Sequence, residues 1–162
     1  MFYLICGSTG AGKTTYAKAL AEQIGGVHFA IDAWMTTLFW PDSPQPISFD
    51  WAMERINRCE AQIIDMAHQC FARGVPVILD LGFTKKDHRQ KFATIAANAD
   101  ITLELHFIDI DREERWARVQ KRNLTKGPTF AMDVNRDMFD FVESMWEAPD
   151  QDEMAALNGK RV

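Results

Sequence analysis

The chain has 162 residues, of which 47% are hydrophobic and 25% charged, and a formal net charge of −5. That length suits one domain around a single core and is too short for two. The acidic balance argues against broad nonspecific nucleic-acid binding, and no apolar run reaches the roughly 20 residues of a membrane-spanning helix. Taken in chain order, Phe2 to Cys6 is apolar and β-prone and stops at a glycine loop. A helical pattern follows from Lys13 to Ile24, with Ala17, Leu20, Ala21 and Ile24 on one face. Gly25-Gly26 ends it. Val27 to Ile31 predicts a second strand closing at Asp32, and Trp34 to Trp40 a short helix before a loop with three prolines. Ser48 is placed to cap a long helix running to Arg73, with Ala52, Ile56, Cys59, Ile63, Met66, Ala67 and Cys70 as its apolar face. Pro76 to Leu79 predicts a strand ending at Asp80, and its continuous apolarity suits a buried parallel strand. A helix over Lys86 to Ala97, an alternating strand over Ile101 to Ile108 and helices over Glu113–Asn123 and Asn135–Trp146 complete the pattern. Ala155-Ala156-Leu157 is a candidate start of a fifth strand.

Strands alternating with helices imply βαβ units, hence an α/β domain over residues 1–162 with a parallel sheet covered on both faces. Ligands of such sheets bind beyond the carboxyl ends of the strands. There the sequence places Gly7–Lys13, Asp32 and Asp80. The cysteines Cys6, Cys59 and Cys70 lack CxxC spacing and read as free thiols. Met1 to Cys6 has neither the basic start nor the cleavage site of a signal peptide, so a cytoplasmic location is expected.

Gly7-Ser8-Thr9-Gly10-Ala11-Gly12-Lys13-Thr14 matches the Walker A pattern. Glycines let successive backbone N–H groups point inward as an anion nest. The following helix adds its positive end. Lys13 supplies charge to the β- and γ-phosphates of a nucleotide, and the Thr14 hydroxyl is a Mg²⁺ ligand. Residues 7–14 with Thr15 are therefore the expected ATP contacts. Asp80, after Val77-Ile78-Leu79, sits where a Walker B acid holds Mg²⁺, or else caps the turn before Gly82. Asp32 is placed to accept the proton of an attacking hydroxyl, and equally to cap the helix after it. The aromatics Trp34, Phe39 and Trp40, with Leu38, read as core or as the wall of a substrate pocket.

Arg112, Arg115, Arg118, Lys121, Arg122 and Lys126 form a basic run after the fourth strand. Arg118 and Arg122 are candidate phosphate contacts, since arginine forks stabilise charge on transferring oxygens. Arg112, Arg115 and Lys121 read as a solvated helix face pairing with Glu113 and Glu114. Lys126-Gly127 lies in a segment suited to closing over the nucleotide.

These motifs together resemble the P-loop kinases near polynucleotide kinase, zeta toxin and chloramphenicol phosphotransferase. They resemble most of all the small ATP-binding proteins grouped as kinase-like AAA-type ATPases, over Phe2 to Pro149. The segment Lys121 to Gly127, with Asp133-Val134 and Met138, is similar to the lid of phage polynucleotide kinase. The resemblance implies a three-layer P-loop fold with sheet order 2-3-1-4-5, a helical lid over about 118–135 and Asp32 as catalytic base. It also implies γ-phosphate contact by Lys126 with Arg122 beside it, although the family has arginine where this chain has Lys126.

The expected activity is transfer of the ATP γ-phosphate to a hydroxyl of a small molecule or nucleotide. Catalysis would rest on Lys13, Asp32, Arg122 and Lys126, and metal binding on Thr14 and Asp80. Two alternatives stand beside it. One is a 5′-hydroxyl polynucleotide kinase, which would need a positive tunnel from Lys85, Lys86, Arg89 and Lys91. The other is an ATP-binding switch with little transfer activity. The acceptor and the oligomeric state carry no sequence signal.

Overall fold

The computed structural model describes residues 1–127 and 133–162. Five parallel strands form one sheet: β1 (Phe2–Cys6), β2 (Val27–Ala30), β3 (Val77–Asp80), β4 (Leu103–Phe107) and β5 (Lys160–Arg161), in the order β2-β3-β1-β4-β5. Each edge of β1 is paired, Leu4 lying opposite Leu79 on one side and Leu105 on the other. The helices are α1 (Lys13–Ile24), α2 (Ile31–Leu38), α3 (Phe49–Phe71), α4 (Lys86–Asn98), α5 (Arg112–Thr125), α6 (Arg136–Met145) and α7 (Gln151–Ala156).

Side chains of a strand alternate between faces, and β1 shows both. Phe2, Leu4 and Cys6 join the larger core with Phe29 of β2, Leu79 of β3 and Leu105 and Phe107 of β4, packed against Cys59, Ile63 and Ala67 of α3 and Phe92 and Ala96 of α4. Ile5 enters a smaller core with Ile78, Ile108, and Ala17 and Ala21 of α1. The result is the three-layer arrangement of a P-loop domain. Among the described residues no helix is long and apolar enough to cross a membrane.

Several element bounds depart from expectation. β2 ends at Ala30, and Ile31 is already the first residue of α2, so Asp32 lies in a first helical turn. The helix expected over Trp34–Trp40 stops at Leu38 and is followed by a 3-10 turn over Trp40–Asp42. Ala155 and Ala156 end α7 rather than begin a strand, because Asp150 caps that helix by accepting from Glu153 N at 2.8 Å; β5 follows at Lys160. β4 alternates as expected, yet all five of its residues are buried. Its polar members are satisfied in place: His106 Nε2 lies 2.5 Å from Glu104 Oε1, Tyr16 Oη lies 2.7 Å from His106 Nδ1, and Lys160 pairs with Glu104 at 2.6 Å. Ser48 caps α3 as expected, accepting from Trp51 N.

Candidate functional site

Three glycines of the loop between β1 and α1 have positive φ, and two of them, Gly10 and Gly12, shape the phosphate site. Gly12, at φ +97°, is the N-cap of α1 and offers no side-chain acceptor to the first-turn N–H groups. Those donors are left for an outside anion. Gly10, at φ +82°, lies under α5: a Cβ there would stand 2.5 Å from the Arg115 carbonyl oxygen and 2.9 Å from a Val119 methyl. Lys13 Nζ folds back over the loop and donates to Gly7 O (2.9 Å) and Ser8 O (3.3 Å). Burial pushes the Lys13 ammonium below its ordinary pKa, with Asp80 and Asp32 opposing that shift.

At the ends of β2 and β3 the acidic groups gather. Thr14 Oγ1 donates to Asp80 Oδ2 at 2.7 Å, and His28 Nε2 stands 3.5 Å from the same oxygen. Asp32 opens to the cleft, yet the walls around it remove enough solvent to raise its carboxyl above the usual range. Lys13 pulls the value down, Asp80 pushes it further up, and Arg122 pulls down more weakly. A carboxylate raised in this way is a stronger base than an ordinary aspartate. Lys13, Asp32 and the Thr14–Asp80 pair thus occupy one electrostatic neighbourhood at the carboxyl edge of three strands.

The outer side of the loop is held by residues far away in sequence. Ser8 Oγ donates to Glu143 Oε2 at 2.7 Å. Arg115 meets both oxygens of Glu143, at 2.8 and 2.7 Å, and also donates to Thr9 O and Ile110 O. Arg115 is buried, so the solvated role expected for it is replaced by a clamp joining α5, α6 and the loop. Its fork lowers the Glu143 pKa, helped by Ser8 and opposed by partial burial. Glu143 is a residue the sequence reading missed. Nothing local marks it, since its partners lie 28 and 135 positions away. His28 was missed too, because a lone histidine in a strand carries no signal.

One cleft of about 860 Å³ collects the loop from Thr9 to Thr15 with Asp32, Trp40, Arg118 and Arg122. Arg118 donates to Ala11 O at 3.2 Å and pairs with Glu114 at 2.7 Å. Arg122 Nε is buried with no hydrogen-bond partner among the described residues. A buried guanidinium donor of that kind is costly unless a ligand completes it. Lys126 caps α5 with φ +45° and lies 3.4 Å from Asp133; it does not line the cleft. Part of the expected lid, Pro128–Met132, falls outside the described residues. Reciprocal bonds between the Asn123 side chain and the Val134 backbone, at 2.8 and 3.2 Å, join its two flanks.

Three of the four cations considered for a nucleic-acid tunnel are paired with acids of the same chain. Arg89 is fully buried and grips Glu153 at 2.6 and 2.9 Å. Lys86 pairs with Asp150 at 2.6 Å, and Lys91 with the buried Glu60 at 2.7 Å. Of the aromatic segment, Trp34 and Phe39 pack on the core, while Trp40 both packs there and lines the cleft.

Fold and site together define a small P-loop kinase-like protein. The chain belongs to the AAA domain family (AAA_33), whose model matches residues 2–147. No curated protein matches it in sequence. Among solved structures it is similar to Chaetomium thermophilum Kti12 in complex with ADP-AlF3, with TM-score 0.73 and 15% identity over 100% of this chain and 88% of that one. It is also similar to a sugar kinase from Janibacter sp. (TM-score 0.64, 16% identity, 99% and 83% covered) and to a gluconokinase from Sinorhizobium meliloti (0.59, 16%, 99% and 80%). At those identities the likeness is one of fold.

Proposed function

We propose that this chain transfers the γ-phosphoryl group of ATP to a hydroxyl of an acceptor molecule. The observation that carries the reading is the convergence of Lys13, Asp32 and the Thr14–Asp80 pair beside a glycine loop whose helix start has no side-chain cap. The loop amides and Lys13 hold the phosphates. Arg118 and Arg122, one helical turn apart on α5, face the same cleft and meet charge that develops on the γ-oxygens. Asp32 takes the acceptor's proton as its oxygen bonds to the γ-phosphorus. The bond from that phosphorus to the β–γ bridging oxygen breaks, and ADP leaves. Lys126, at the end of α5 one turn beyond Arg122, adds a further cation for the γ-phosphate when nucleotide is bound.

Thr14 and Asp80 fit a magnesium ion, since they bring hard oxygen donors within 2.7 Å of one another. Among the described residues no group of three His, Cys, Asp or Glu side chains comes together, so phosphate oxygens would complete the coordination. Bound magnesium would neutralise charge on the β- and γ-phosphates. Three free cysteines suit a reducing cytoplasm. The burial of Arg89 against Glu153 and the pairing of Lys91 with the buried Glu60 disfavour a polynucleotide acceptor.

The test is a pair of variants. Lys13→Ala abolishes the rise in melting temperature produced by ATP with Mg²⁺. Asp32→Asn keeps that rise and lowers phosphoryl transfer on the order of a thousandfold. A wild type with no ATP-dependent shift overturns the reading. Transfer at close to the wild-type rate in Asp32→Asn removes the base assignment, and ATP binding without transfer to any hydroxyl compound favours the switch.

A further inference from the structure

The cleft that holds Asp32 has an aromatic wall. Trp40 lines it, and its neighbours hold it in place. The Trp51 ring is stacked at 5.8 Å and 28° from Trp40, and the Arg55 guanidinium lies 3.9 Å from the Trp51 centroid. The Trp40 carbonyl accepts from both the backbone N–H and the hydroxyl of Ser43. Such a ring is a preorganised stacking platform, with little freedom left to lose on binding. The apolar side chains of Val134, Met138 and Val142 line the same cleft.

Charge is distributed very differently. The cations lining the cleft, among the described residues, are Lys13, Arg118 and Arg122, all beside the phosphate loop. Lys86, Arg89 and Lys91 do not line the cleft and pair instead with Asp150, Glu153 and Glu60. Away from the phosphate loop, an acceptor bearing its own phosphate or carboxylate would meet no lining cation among the described residues. A polyhydroxylated sugar would fare little better, because apolar side chains would leave most of its hydroxyls unpaired.

We propose that the acceptor is an uncharged, ring-bearing alcohol whose ring stacks on Trp40 and whose hydroxyl reaches Asp32. This rests on the phosphotransfer reading above. The products are the phosphate monoester of that alcohol and ADP, the hydroxyl proton passing to Asp32.

The experiment presents labelled ATP and Mg²⁺ with three acceptor sets: neutral aryl-substituted alcohols, sugars and sugar acids, and 5′-hydroxyl oligonucleotides. Aryl alcohols are expected to be phosphorylated and to quench tryptophan fluorescence. Trp40→Ala raises their KM by about tenfold and leaves the KM for ATP within a factor of about two. Trp40→Phe, which keeps a ring, recovers most of the loss. An unchanged ATP-dependent thermal shift shows that each variant is folded. Preference for sugars or oligonucleotides overturns the inference. So does the absence of both transfer and quenching with aryl alcohols, and so does a KM indifferent to Trp40→Ala. Loss of ATP binding in the wild type instead overturns the underlying phosphotransfer reading, so the two failures are told apart.

Discussion

The phosphate end and the opposite end of the cleft are built on unlike principles. At the phosphate end the backbone does the recognising: glycines at positive φ, free amides at the start of α1, and a lysine lying across its own loop. Side chains there mostly fix the backbone, as Arg115 and Glu143 do for Ser8 and Thr9. At the other end side chains carry the character, with Trp40 stacked on Trp51 and Val134, Met138 and Val142 lining the cleft. The first end tolerates little change in sequence and gives one ligand class. The second can be rewritten by a few substitutions without touching the loop.

The sharpest break between the ends is Asp32, which belongs to both. Asp32→Asn lowers kcat on the order of a thousandfold while ATP affinity is retained, as rapid-quench transfer and thermal shift would register. Its pH dependence has a definite sign. Desolvation raises the Asp32 pKa, so the acid limb of kcat/KM lies above the ordinary aspartate value, and activity falls as pH drops through it. The limb vanishes in Asp32→Asn.

Arg89 sharpens the contrast from outside the cleft. Arg89→Met leaves Glu153 buried and unpaired and costs about 3–5 kcal/mol of stability in urea unfolding. A cation that bound substrate would instead show its loss in acceptor KM. Glu143→Gln weakens the clamp behind the loop by about 1–3 kcal/mol and raises the KM for ATP more than that for the acceptor. Since Arg115 lowers the Glu143 pKa, this contribution is complete above the ordinary glutamate value and is lost as pH falls through the folded one. The wild type therefore loses stability more steeply in acid than Glu143→Gln does, as melting curves across pH would record. The smallest effect belongs to Lys86→Ala, whose exposed pair with Asp150 is screened by water, so neither the unfolding midpoint nor oligonucleotide binding shifts measurably.

What could be read from the sequence followed the range of each interaction. The loop from Gly7 to Thr14 was legible because its geometry depends on adjacent residues, and β1, α1 and α3 followed from periodicity and flanking glycines or caps. The start of α2 was not legible, since Ala30 caps it without a side-chain bond and leaves no mark. The end of the chain was misread despite a visible signal: Asp150 three residues before Glu153 announces a helix start, and the alanines beyond it extend that helix. The sheet order came from the resemblance and agrees with the structure. The clamp of Ser8, Arg115 and Glu143 was illegible, because each residue type is ordinary on a surface and only the fold brings them together. Arg89 posed the same problem, its partner lying 64 positions away.

Gly10 links these observations in a further way. Because it has no side chain, the backbone of α5 rests directly on the loop at Arg115 and Val119. Arg118 and Arg122 follow at three and seven residues along the same helix. A hydrogen atom in place of a methyl thus determines how low the whole cationic helix rides. Any larger residue at position 10 would lift both guanidinium groups together, like shimming one end of a lever. Phosphate grip and charge neutralisation are therefore mechanically one adjustment, set by the smallest residue in the loop.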